Sequence, residues 1–370
     1  MTVQHDLLPV GLEDALPRRA AAISRAMRQV LGAMDAHGYG RVRPPLVEFE
    51  QSLAGRMKGV ATRRMVRFTD PESLRTLVLR SDMTVQIGRI AATGLASAPR
   101  PLRLCYAGEV ATLKADPLDP ARQRLQVGAE LIGSDSVAAA IEAVTLAVEA
   151  LEAAGLAGLS VDFTLPDLVD TLAEQALPLA DDTRDAVRRE LDTKDAGGLV
   201  AAGGEAYLPL LYAAGPFPEA VARLEAVDAG GVLASRIEGL CRIATALPGH
   251  VRLTLDPTER HGFEYQSWFG FTLHAAGARG SLGRGGTYRI KGSDEPATGF
   301  SLYLEPLLDT LGSSPTEPRR SIFLPLGHDR RTAARLREDG WRTIAAITGH
   351  EDAATLGCTH RLEDGVPATV

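Results

Sequence analysis

Cysteine is scarce in this chain: Cys105, Cys241 and Cys358 stand far apart, with no CxxC among them. Such spacing excludes a disulfide framework and a cysteine-based zinc site, and it fits a reducing, cytoplasmic setting. Lysine is scarcer still, limited to Lys58, Lys114, Lys194 and Lys291. Basic residues number 40 against 47 acidic ones, a formal charge of −7. A general nucleic-acid surface needs a basic excess to release counterions, so no nucleic-acid partner is expected. Long uncharged apolar runs are missing. The richest stretch, residues 137–161, carries Glu142, Glu149 and Glu152, so no membrane span is expected. The opening MTVQHDLLPV has neither a basic lead nor an apolar core, which argues against a signal peptide. The eight histidines include no H-x-x-x-H or H-E-x-x-H spacing, so no metal site is expected. No phosphate-binding glycine loop stands between a strand and a helix. GRGGTY (283–288) lies between strands and reads as a tight hairpin turn.

What is present describes an ordinary globular chain, with 45% hydrophobic and 24% charged residues. Its 370 residues exceed one compact core, and at roughly 150 residues per domain two or three are expected. Ile23, Met27, Val30, Leu31 and Met34 recur at helical spacing between Pro17 and Ala36. Strands are expected over 65–70, 76–80, 102–109, 125–132, 251–256, 269–275 and 297–303. Ser81 is placed to cap a short helix holding Met83, Ile87 and Ile90. A longer helix runs from Val137 to a stop at Gly155. Residues 165–250 read as a helical insertion broken by Gly-Gly pairs. Pro306 suits the first turn of a helix. Pro315 and Pro318 mark a linker, giving a core over 1–317 and a short α/β region over 318–370. Strands that neighbour in sequence, with helices in blocks, indicate an antiparallel α+β fold.

In LQVGAELI (125–132), alternation places Gln126, Gly128 and Glu130 on one face. Taken alone, that is a strand with a solvated polar face. LRSDMT (79–84) adds Asp82 and Thr84 at a helix start, where helix capping explains them equally well. Tyr288, Glu264 and Tyr265 add further polar groups. Carboxylates, an amide and tyrosines on neighbouring strands suit a small cationic or zwitterionic ligand. They include no nucleophile–base pair, so no catalytic residue is expected.

Eight segments then match one family in order: 7–17, 38–50, 77–90, 104–110, 125–133, 261–273, 283–288 and 297–305. Together they resemble the histidyl-tRNA synthetase catalytic core, over roughly residues 7–310. The resemblance implies a class II aminoacyl-tRNA synthetase-like antiparallel sheet flanked by helices. It also implies that the segment with Pro44-Pro45 is a dimerisation motif, that the strand pair 102–132 is the second motif and that 297–311 is the third.

The departures from that family concern the nucleotide. Thr112 and Lys114 occupy the places of the arginine on the ATP α-phosphate and of a glutamate; Glu305-Pro306 replaces Glu-Arg; and His261 and Gln266 replace an arginine and a tyrosine. Lost arginines mean lost bidentate phosphate bonds and lost transition-state stabilisation. The tail is also short for an anticodon-binding domain. The chain therefore resembles the regulatory subunit of ATP phosphoribosyltransferase, a synthetase-like family without aminoacylation. That resemblance implies a non-catalytic protein without cofactor, a short-form catalytic subunit as partner, and L-histidine as feedback effector. It also implies a homodimer within a hetero-oligomer. A working histidyl-tRNA synthetase, or a related amino-acid-activating enzyme, is the alternative. By position, the family's histidine-binding residues fall on Asp82, Thr84, Gln126, Glu130 and Tyr288, with His261 and Tyr265 as weaker candidates. The resemblance gives Asp82 and Thr84 to the α-ammonium, Glu130 to an imidazole N–H and Gln126 to the carboxylate or the backbone-like end, and has Tyr265 pack on the ring.

Overall fold

The computed structural model describes residues 8–54, 65–113, 121–260, 266–311 and 320–370. A nine-stranded sheet organises the larger part. Its order is Gly40–Arg41, Leu102–Ala111, Gln123–Ile132, Glu295–Tyr303, Gly283–Ile290, Gln266–Ala275, Leu159–Thr164, Arg252–Leu255 and Gly215–Pro216. The central strands are antiparallel, and parallel pairs occur toward the edges, where Gly40–Arg41 meets Leu104–Cys105 and Leu159–Thr164 meets Arg252–Leu255.

One face of this sheet is apolar because alternate residues place Cys105, Val127, Ala129, Phe163, Phe271 and Phe300 on it. Helix Val137–Ala153 packs there, together with helices Pro17–Ala36 and Ala234–Ala246. Val144, Val148 and Leu151 are fully buried, each contributing about 1.5–3 kcal/mol by leaving water. The Ser136 hydroxyl accepts from the Ala139 N–H at the start of that helix. At its end Gly155 takes φ +96°, and the Leu156 N–H donates back to the Leu151 carbonyl, a glycine stop of the Schellman kind. Helix Pro17–Ala36 has the expected bounds and buries Val30 and Met34.

Residues 165–250 are mainly helical: Leu168–Gln175, Asp181–Asp192, Ala196–Ala201, Phe217–Val227 and Ala234–Ala246. Val187, Leu191, Leu199 and Leu224 from this block share the apolar core of the sheet. The insertion is thus packed into the same body.

Three local expectations are corrected. GRGGTY is no turn but part of the buried strand Gly283–Ile290, because neighbouring backbones and rings fill the space its side chains would take. Ser81 does not cap the helix Thr84–Ala92; Asp82 Oδ1 accepts from the Thr84 N–H at 2.7 Å. The strand Leu159–Thr164 was not anticipated.

Residues 320–370 form a second compact unit. Its four strands run in the order Arg342–Ala345, Ser321–Leu324, His360–Glu363 and Val366–Thr369, beside the helix Arg330–Glu338. Ile322, Leu324, Ala333, Leu336 and Leu362 make its core. The linker expected at Pro315 to Pro318 lies outside the described residues. No helix among the described residues is long and apolar enough to cross a membrane.

Candidate ligand-binding site

Directly opposed residues in a sheet share a face. The strand register therefore aligns Leu104, Glu130, Gly299, Gly286 and Gly270 in one row on the face opposite the main core. The next row holds Tyr106, Gly128, Ser301, Arg284 and Thr272. Glycines leave a lane without side chains, and Glu130 lies in it: a Cβ on Gly299 would stand 1.7 Å from Glu130 Oε2. The Tyr106 ring lies over Gly128 in the same way, with its hydroxyl 2.4 Å from where a Cβ would be.

Glu130 is 1% exposed. Its Oε2 accepts from the Tyr288 hydroxyl at 2.8 Å and its Oε1 from the Tyr106 hydroxyl at 3.1 Å. Tyr106 lies 3.0 Å from Ser301 Oγ, which accepts from Gln126 Nε2 at 2.7 Å. The Gln126 amide is oriented by the backbone, since its Oε1 accepts from the Met83 N–H at 2.9 Å. Donation therefore runs from Gln126 to Ser301, to Tyr106, to Glu130. Asp82 braces the start of this chain, with Oδ2 accepting from Gln126 at 3.0 Å. Thr84 Oγ1 joins it 3.2 Å from the Tyr106 hydroxyl.

Burial pushes the Glu130 carboxyl up to about 8, and the charge of Asp82 adds to that, against the pull of the tyrosine hydroxyls. Asp82 is also raised by burial, opposed by its N–H donors. The Tyr106 phenol is pushed well above its ordinary range by burial, then by the charges of Glu130 and Asp82. The Glu130 proton is therefore held to higher pH than an ordinary carboxyl's.

A cleft of about 230 Å³, partly open to solvent, is lined by Thr84, Glu130, Gln266, Arg284, Tyr288 and Ser301 over the glycine lane. Of the residues singled out in the sequence, Thr84, Glu130 and Tyr288 face this cleft. Asp82 and Gln126 do not line it; they brace it from behind. His261 and Tyr265 lie outside the described residues, as does Lys114. Tyr106, Ser301 and Arg284 were not anticipated. Alternation puts Tyr106 on the Leu104 face, but only the cross-strand register brings it to Glu130.

The positions matching the synthetase's phosphate-binding arginines supply no cation. The Thr112 N–H donates to the Arg122 carbonyl at 2.8 Å. Pro306 lies in the first turn of Leu304–Leu311, beside Glu305, whose Oε1 accepts from the Leu125 N–H at 2.8 Å.

The histidyl-tRNA synthetase family model matches residues 11–307. The ATP phosphoribosyltransferase regulatory subunit of Rhodospirillum centenum is 43% identical over 364 residues, 96% of this chain and 94% of the relative. The chain belongs to the ATP phosphoribosyltransferase regulatory subunit family. An ATP phosphoribosyltransferase regulatory subunit/histidyl-tRNA synthetase from Bacillus halodurans has the same fold, with a TM-score of 0.81 at 22% identity over 96% of this chain and 97% of that one. The ATP phosphoribosyl transferase (HisG:HisZ) complex from Thermotoga maritima contains a chain that aligns with a TM-score of 0.60 at 17% identity, covering 76% of this chain and 97% of that one.

Proposed function

We propose that this chain is the non-catalytic regulatory subunit of ATP phosphoribosyltransferase. It assembles with a short-form catalytic subunit, supports the first step of histidine biosynthesis and mediates feedback inhibition by L-histidine bound in the cleft. One contrast carries the reading: the polar chain ending on Glu130 is fully built, whereas Thr112 and Pro306 stand where a synthetase holds its nucleotide. A carboxyl group between two tyrosine hydroxyls suits an imidazole nitrogen. Thr84 is placed for the ligand's ammonium.

Purified protein is expected to show no histidine-dependent exchange between ATP and pyrophosphate. Clear exchange above a no-enzyme control would return the chain to the amino-acid-activating enzymes. Adding the protein to the short catalytic subunit should raise phosphoribosyl transfer and make it histidine-sensitive.

We further infer a homodimer through the segment 7–50. Val10, Leu16 and Leu46 in that segment leave 85%, 70% and 46% of their surfaces exposed. Light scattering should give twice the chain mass. A monomer at micromolar concentration counts against this interface.

A further inference from the structure

Both Nε2 hydrogens of Gln126 are engaged, by Asp82 and Ser301, and its Oε1 by the Met83 N–H. That amide has no donor left for a ligand carboxylate. The cleft nevertheless holds a cation. Arg284 lines it with Ser301, Gly285 and Gly286, and its side chain is half-buried. The register sets Arg284 directly opposite Ser301, two residues along from Gly286 in the Glu130 row. Glu130 and Arg284 thus stand two strands apart and one two-residue step along, about 12 Å between Cα atoms at ordinary strand spacing and rise. The lining of the cleft thus includes an acid, Glu130, and a guanidinium-bearing residue, Arg284, on successive rows of the sheet. Arg284 also offsets a loss evident in the sequence, since His261 stands where the synthetase family has an arginine.

We propose that Arg284 binds the carboxylate of the ligand whose imidazole meets Glu130. It thereby makes the cleft selective for the free amino acid over analogues that carry the same ring without a carboxylate. This rests on the histidine reading above. The chemistry favours it because the planar guanidinium matches a carboxylate with two parallel charged hydrogen bonds. An amine or alcohol analogue would instead leave that guanidinium facing a group that cannot match it.

The test uses the full chain assembled with its catalytic subunit. Calorimetry measures L-histidine, histamine and histidinol binding to the wild-type, Arg284→Gln and Arg284→Lys complexes. The wild type should prefer histidine over both analogues by about tenfold or more, the scale of one charged hydrogen bond. Arg284→Gln should weaken histidine by a similar factor and leave the analogues nearly unchanged, so that the preference collapses. Arg284→Lys, which keeps the charge but loses the fork, should fall between, and it serves as the test if Arg284→Gln fails to fold. A wild-type preference near unity, or a preference retained in an Arg284→Gln protein that melts like the wild type, overturns the assignment of Arg284. Absence of any histidine binding to the wild-type complex overturns the histidine reading itself, and this inference with it.

Discussion

Glu130→Ala is expected to raise the histidine concentration needed for half-inhibition of the reconstituted complex by tenfold or more. The carboxyl is buried and takes both tyrosine hydroxyls, so it is the group best placed to fix a ring nitrogen. Removing one partner of a buried hydrogen bond costs about 1–3 kcal/mol. Control requires that histidine bind one state of the complex more tightly than another, since equal binding shifts nothing. Losing the Glu130 contact removes affinity from the state that holds the ligand. An inhibition curve left in place by Glu130→Ala would move the sensor elsewhere.

The proton on Glu130 adds a signature in pH. Free imidazole titrates near 6.5 (roughly, as the histidine side chain does), and Glu130 near 8. Between those values the free partners together carry one proton, which is what a shared hydrogen bond between them needs. Affinity should be level across that window. It should fall on the acid side, where a proton must be released, and above about 8, where one must be taken up. The sign for stability is also defined. The folded chain holds a proton that the unfolded chain releases above 4.5, so stability declines as pH rises from there toward 8, by at most about 1.4 kcal/mol per unit. Glu130→Gln should flatten both dependences; a melting profile with the wild-type slope would contradict the assignment.

Gly299→Ala should damage the cleft directly. A Cβ there would meet Glu130 Oε2 at 1.7 Å and the Ala129 carbonyl oxygen at 2.6 Å. The strand Glu295–Tyr303 is held on both sides, by Gln123–Ile132 and Gly283–Ile290, so the backbone cannot retreat cheaply. The methyl must expel the Glu130 side chain, break its bond to Tyr288 and fill the lane. Overpacking of this kind costs about 1–3 kcal/mol, and histidine inhibition should be lost with it. Gly280→Ala, where nothing lies within 4 Å of the new methyl, is the matched control. Equal melting temperatures and equal inhibition for the two variants would show that the lane is not constrained.

Much of this arrangement was legible in the residues, for identifiable reasons. The helix Pro17–Ala36 shows itself through Val30 and Met34 at one-turn spacing, and the strand pair around Gln126 and Glu130 through strict alternation. Alternation tells which residues share a face but not which of them turn inward to one another. Asp82 and Gln126 therefore read as ligand contacts, although each is already occupied by the other and by backbone N–H groups. GRGGTY failed for a different reason. Glycine is ordinarily depleted in strands, and its use here, to admit the Phe269 carbonyl and the Phe271 ring, depends on the neighbouring strands and not on the local pattern. Tyr106 and Ser301 are 195 residues apart, and local pattern carries no signal for their contact.

The backbone N–H of Met83 has an effect well beyond its own bond. By holding the Gln126 amide one way round, it deprives the hydroxyls of Ser301 and Tyr106 of rotational choice, and both tyrosines deliver their protons to Glu130. A single main-chain donor on another element thus fixes the orientation of each polar group between itself and the carboxyl, so a shift at Met83 would be felt at Glu130 through Gln126, Ser301 and Tyr106.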